Sequence, residues 1–217
     1  CDAVTFSLPP DVQADLAARA AAAGKAVLLD KPVGLTTAQA ESLAGAIDAA
    51  GVTSQVIFTN RYYDGMRAFL EQARAFDSYG GRASFFGNGC VPGTYFATPW
   101  RLEQGGLLDL GPHVLDALDA ALGPIVDISA RGDVQRIVFL ECEHEGGRIS
   151  QAALCATSNQ DGGLAVEVHD LGSQVHHEGS VGEVFDRVAR GSCPTEGGLD
   201  PGDQFGVTAI DVLHCEI

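Results

Sequence analysis

The chain has 217 residues, 46% hydrophobic and 19% charged, enough for one or two domains with a real core. Thirteen basic residues against 29 acidic ones leave a formal charge of −16, which argues against nucleic acid or an anionic bilayer as the main partner. No apolar run approaches the ~18 residues a membrane helix needs, and the apolar content excludes coiled coil, collagen and bulk disorder.

Residue 1 is cysteine, and Ala3–Leu8 already reads as a buried strand, so the sequence is expected to open inside a fold. A helix over Asp11–Ala23 follows, with Pro10 near its start and Gly24 as its stop. Ala26–Leu29 is a second apolar strand, closed by Asp30-Lys31-Pro32. Thr36 or Thr37 caps a helix running to Ala50, with Glu41 available near the first turn. Gln55–Thr59 is a third strand and Tyr63–Phe76 another helix. Short apolar strands separated by such helices predict right-handed βαβ crossovers and a parallel sheet over residues 1–78, an α/β architecture.

The texture changes after Tyr79-Gly80-Gly81. Residues 81–103 read as a strand and a long site-lining loop, and Leu107–Leu122 as a helix stopped by Gly123-Pro124. Strand-like runs follow at 125–131, 134–145, 148–157, 164–168 and 174–177, with Gly146-Gly147 marking a hairpin. Segments 181–190 and 202–214 read as closing helices. Residues 79–217 are therefore expected to form an open, mostly antiparallel sheet with helices on one face.

Strand ends draw attention first, because open parallel sheets bind ligands at the carboxyl ends of their strands. Lys31 stands there, directly after AVLLD and stiffened by Pro32; taken alone it also fits a solvated loop lysine. The second constellation is Gly105-Gly106-Leu107-Leu108-Asp109-Leu110-Gly111-Pro112-His113. Asp109 and His113 are four apart and share a helix face. Pro112 cannot donate to the Leu108 carbonyl, so the helix either starts near it or kinks there. A late start would put His113 in the first turn, where the helix dipole favours neutral imidazole, the form a general base needs. A capping Asp and a structural His fit the same residues.

Three stretches, DAVTFSLPPDVQADLAARAAAAGKAVLLDKPVGLT, NRYYDGM and PWRLEQGGLLDLGPHVLD, resemble the glucose–fructose oxidoreductase / inositol dehydrogenase (Gfo/Idh/MocA) family in order and spacing, over residues 2–157. The resemblance implies a nicotinamide-dependent oxidoreductase, with residues 1–78 as the C-terminal half of a Rossmann-type parallel sheet, NAD or NADP as cofactor and a small hydroxylated molecule (sugar, polyol or related compound) as substrate. Residue by residue, Lys31 matches the lysine of the family's E-K-P motif, and Asp109 and His113 match its D-x-x-x-H. It further implies that Ser7, Leu8, Pro9, Asp30, Lys31, Pro32 and Asn60 touch the cofactor. Asp30 replaces the usual glutamate, and Gln13 stands where many members carry histidine, which bears on contacts to the cofactor. No G-x-G-x-x-G precedes Ala3, so the chain is expected to be an N-terminally truncated member; a non-catalytic substrate-binding or dimerisation module is the rival expectation.

Trp100 and Arg101 join Lys31, Asp109 and His113 as candidate substrate contacts, since Arg and aromatic groups suit oxygenated ligands; Trp100 also fits a packing role. In Glu141-Cys142-Glu143-His144-Glu145 the cysteine and histidine face one way and the glutamates the other. His169, His176 and His177 add no ligand spacing, so no metal is expected. The six cysteines are scattered without a CxxC and read as reduced thiols of a cytoplasmic protein. The half-apolar sheet face of residues 125–177 points to a homodimer or homotetramer built through it.

Overall fold

The structure is a computed structural model that describes residues 1–158, 163–169 and 174–178. The helices expected at 181–190 and 202–214, with Cys193 and Cys215, lie outside the described residues. Among those described, no helix is long and apolar enough to cross a membrane.

Strands β1 (Ala3–Thr5), β2 (Ala26–Asp30) and β3 (Ser54–Ile57) form a parallel sheet in that order. Helices α1 (Pro10–Ala22) and α2 (Thr37–Ala50) make the crossovers and pack on each other over one face, burying Val27, Leu29 and Val56 with Ala17, Ala21, Leu43 and Ile47. Each boundary has a local cause. Pro10 opens α1, where a missing N–H costs nothing. Thr36 caps α2 by accepting from the Gln39 amide, and Gln39 rather than Glu41 reaches back, its Oε1 accepting from Leu35 N at 2.8 Å. The first strand ends at Thr5, three residues before the expected Leu8, because the chain turns away after Phe6 donates to the Leu28 carbonyl.

The second sheet has six strands in the order β5-β6-β7-β4-β8-β9. They are β4 (Gly80–Phe86), β5 (Ile125–Gly132), β6 (Val138–His144), β7 (Ile149–Cys155), β8 (Gly163–His169) and β9 (Gln174–Glu178). Neighbours are antiparallel except β4 and β7, so the predicted parallel sheet followed by a mostly antiparallel one is the architecture observed. β4 can lie parallel to β7 because a long loop and a helix, α4 (Pro99–Leu122), separate them. The strand expected from Val134 begins at Val138. Asp133 turns the chain there, accepting from Gln135 N through Oδ1 and donating its own N–H to the Ile137 carbonyl.

Helix α4 and helix α3 (Asp64–Arg74) cover one face of this sheet. Met66, Phe69, Leu110, Val114 and Leu118 meet Phe85, Leu140, Leu154 and Val166 in a single buried cluster. α3 thus continues the strand–helix alternation in sequence but packs with the second sheet. Among the described residues nothing covers the other face, where Phe139 and Ile149 lie exposed among Glu141, Gln151 and Arg82.

The alternation in β6 follows its pattern: Cys142 and His144 are buried while Glu141 and Glu143 face solvent. His144 Nδ1 lies 2.7 Å from the Gly123 carbonyl and Nε2 lies 2.8 Å from Ser150 Oγ. A carbonyl only accepts, so Nδ1 carries the proton and the serine hydroxyl donates to Nε2. Among the described residues no group of His, Cys, Asp and Glu is placed to hold a metal ion.

Candidate functional site

The site lies on the seam between the two sheets. Lys31 follows β2 directly, and Asp30 Oδ1 accepts from its backbone N–H at 2.9 Å. Gln13, fully buried on α1, clamps the same strand end: its Nε2 donates to the Asp30 carbonyl at 2.7 Å and its Oε1 accepts from Asp30 N at 3.2 Å. Gln13 therefore holds the carboxyl end of β2 in place.

The Lys31 ammonium crosses the seam to α4, donating to the Asp109 carbonyl at 2.7 Å and to Asp109 Oδ1 at 3.2 Å. Arg101 Nε donates to the same Oδ1 at 2.9 Å, and its guanidinium lies 4.5 Å over the Trp100 ring. Trp100 itself is buried, so packing and cation–π contact are its observed roles. Burial raises the pKa of the Asp109 carboxyl, but Lys31 and Arg101 more than offset it and hold the group below the usual carboxylate range. The chain before α4 closes over this carboxylate: a Cβ on Gly89 would sit 2.9 Å from Asp109 Oδ2, a spacing that only glycine leaves open.

α4 does not start late. It runs through Pro112 and breaks instead at Gly105, whose φ of 67° is left-handed and where a Cβ would run into the Val134 carbonyl. Gly106 N donates to that carbonyl at 2.9 Å, turning the chain into the main part of the helix. His113 therefore lies well inside α4, and the expected helix-dipole explanation of its neutrality is replaced by another. Burial, with the nearby Lys31 charge, lowers its pKa to about 3. Its Nδ1 is buried without a hydrogen-bond partner, and the ring rests on Phe58 and Phe85, with centroids 6.4 Å and 6.0 Å away. Asp109, four residues before it, hydrogen-bonds Lys31 and Arg101 and leaves the imidazole to its aromatic neighbours.

The other strand ends gather on the same side. Ser7, Leu8 and Pro9 are exposed after β1, and Pro32 is buried beside Lys31. Asn60 lies in a short 3-10 turn (Thr59–Tyr62) after β3, with its side-chain amide nitrogen buried and unpartnered. An orphaned donor at the carboxyl end of a parallel sheet suits a polar ligand such as a carboxamide or a ribose hydroxyl. The residues present therefore fit the nicotinamide end of a dinucleotide.

A further contact crosses the seam between two of the stretches that carry the family resemblance, through residues given no role there. Arg61 Nε and Nη2 donate to the two carboxylate oxygens of Asp116 at 2.6 Å and 2.8 Å, and Nη2 also reaches the Asp116 carbonyl at 3.0 Å. Sequence spacing alone does not pair residues 55 positions apart; the available signals are that both lie in those stretches and that Asp116 stands seven residues after Asp109.

Residues 1–58 match the oxidoreductase family with the NAD-binding Rossmann fold, GFO_IDH_MocA. The resemblance to the Gfo/Idh/MocA oxidoreductases holds. Among curated proteins, trans-1,2-dihydrobenzene-1,2-diol dehydrogenase of Mus musculus is 34% identical over 106 residues, 47% of this chain and 31% of that protein. The Bos taurus counterpart is 31% identical over 104 residues, 46% of this chain and 30% of that protein. The chain thus aligns with about a third of the length of the curated relatives it matches. A solved structure, GenD2 from gentamicin A biosynthesis in complex with NAD, superposes with a TM-score of 0.70 at 27% identity, covering 82% of this chain and 54% of that one. The WlbA dehydrogenase from Bordetella pertussis, in complex with NADH and UDP-GlcNAcA, shares the fold with a TM-score of 0.70 at 21% identity, covering 82% and 59%.

Proposed function

We propose that this chain carries the nicotinamide-facing and substrate-facing surfaces of an NAD(P)-dependent oxidoreductase acting on the CH–OH group of a sugar, polyol or related hydroxy compound. The observation that carries the reading is the Lys31–Asp109–His113 cluster, in which a fixed ammonium and a neutral, buried imidazole come together from the two sheets. The bound nicotinamide would supply the hydride acceptor or donor. His113, uncharged across the neutral range, takes the proton of the substrate hydroxyl. The Lys31 ammonium hydrogen-bonds the same oxygen and stabilises the negative charge that develops on it. Asp109 keeps Lys31 charged and in place, and Arg101 anchors Asp109 from the other side while lining the substrate pocket with Trp100. Ser7, Leu8, Pro9, Asp30, Pro32 and Asn60 hold the cofactor. In this reading residues 1–78 serve the cofactor and the segment from 79 onward serves substrate and assembly. The open sheet face with Phe139 and Ile149 pairs two copies into a homodimer or homotetramer, and the protein works in the cytoplasm.

The test is cofactor reduction by the whole protein, followed by absorbance with NAD or NADP against a panel of sugars, polyols and hydroxy acids. Turnover with at least one of them, abolished by Lys31→Ala and by His113→Ala, is the expected result. A protein that binds a hydroxylated ligand yet reduces neither cofactor would be a binding or dimerisation module instead.

A further inference from the structure

Lys31 and His113 can act on one oxygen atom only if α4 keeps a set depth and rotation against the parallel sheet. Both residues arrive on separate elements, so something must hold that register. Asp109, His113 and Asp116 stand at i, i+4 and i+7 on α4. At about 100° per residue they fall on one helix face, with the two aspartates about 10 Å apart along the axis. Each aspartate grips a cation from the parallel-sheet side: Asp109 holds Lys31 at the end of β2, and Asp116 holds Arg61 just past β3. His113 lies between the two grips. One grip alone leaves the helix free to rock about it. A second, two turns away on the same face, removes that freedom.

The Arg61–Asp116 contact is built for this. It is bidentate through the side chains with a third bond to the backbone carbonyl, so it fixes the direction as well as the distance of approach. The side chains are only 26% and 13% exposed, which limits screening. Among the described residues the Arg61 side chain hydrogen-bonds to Asp116 alone, and Arg61 adjoins Asn60 at the carboxyl end of β3.

We infer that Arg61 and Asp116 are positioning residues, the second of two pins that hold His113 in register with Lys31. The role rests on the reading of Lys31 and His113 as the catalytic pair. Arg61 and Asp116 themselves act through the helix and touch no reacting atom. A displacement of about 1 Å at a reacting group is enough to cost about 100-fold in rate, so a lost pin should show in turnover before it shows in folding.

Two measurements on the full protein separate this inference from the reading beneath it. The first needs no activity: amide hydrogen exchange in Asp116→Asn and Arg61→Gln, each compared with the wild type. Exchange faster by about tenfold or more across 106–116 and 59–62, with the parallel-sheet helices unchanged, is expected. An unchanged pattern in those segments overturns the pin. The second is steady-state kinetics at a temperature where circular dichroism shows every variant folded. Each single variant should lose about 10- to 100-fold in kcat with KM within about threefold, and the exchanged pair Arg61→Asp with Asp116→Arg should recover most of kcat. Unchanged kcat, or a loss that tracks the unfolded fraction and is not recovered by the exchange, overturns the positioning role. If the wild type turns over no hydroxy compound the functional reading fails, and hydrogen exchange still decides the pin.

Discussion

The two sheets solve the problem of placing side chains in opposite ways. In the parallel sheet the element boundaries are set locally: a proline opens α1, a threonine caps α2, and Lys31 follows its strand by one residue. In the six-stranded sheet the controlling contacts are distant in sequence. β4 pairs with β7 and β8, which lie far down the chain, and α4 is turned by Gly105 against a carbonyl 29 positions later. The candidate site sits where the two meet, so a local feature on one side becomes chemistry only through a long-range contact on the other.

The sharpest way to break that comparison is to remove one member from each side. Lys31→Ala and His113→Ala should each lower turnover by about 100-fold or more, the usual cost of losing an electrostatic stabiliser or a general base, measured as kcat in the whole protein. Cofactor affinity should fall much less for His113→Ala, since His113 belongs to the second sheet's helix. Near-normal turnover in either variant would remove that residue from the mechanism.

Next in size is Gly105→Ala. The substitution meets a left-handed φ and the Val134 carbonyl at once, and should destabilise the protein by about 2–4 kcal/mol in denaturant unfolding. A loss under about 1 kcal/mol would mean that the kink can relax, and that α4 is not set by this contact.

The pH dependence of stability tests the seam itself. Folding lowers the pKa of His113 from 6.5 to about 3. Between those values the unfolded chain binds a proton that the folded chain refuses, so stability falls as pH drops below about 6.5 and is insensitive to this residue above it. From pH 7 to pH 5 the contribution amounts to about 2 kcal/mol. His113→Gln should therefore flatten the wild-type acid loss by that amount in denaturant midpoints taken at the two pH values. Identical slopes in the two proteins would mean that the imidazole is not held neutral.

A comparable cost, without any effect on the site, is expected from Ser150→Ala. It leaves His144 Nε2 without a donor in a dry core and should cost about 1–3 kcal/mol, while turnover in the folded protein stays at the wild-type level. Loss of turnover here would show that the sheet interior and the seam are coupled.

Legibility followed the same division. The boundaries of α1, α2 and β2 were readable to within a residue or two, since proline, threonine and glycine set them through local backbone chemistry. Gly105-Gly106 was visible as a pair, but its meaning as a break inside a longer helix was not, because the partner carbonyl of Val134 arrives from another segment. The strand expected from Val134 began four residues late because a turn built on Asp133 does not show in apolar content. Trp100 and Arg101 stand out in the sequence as residue types, yet Arg101's hold on Asp109 is a geometric fact with no pattern behind it.

Residue types and short spacings determined by themselves the order of strands and helices, the stiff lysine after AVLLD and the shared helix face of Asp109 and His113. All of these depend on neighbours within about one helical turn or one strand end. Only the tertiary structure decided that Lys31 meets Asp109 rather than water, that burial and not a helix end keeps His113 neutral, and that Arg61 grips Asp116. Those outcomes depend on desolvation and on distances between groups tens of residues apart, quantities that exist only once the two sheets have packed against α4.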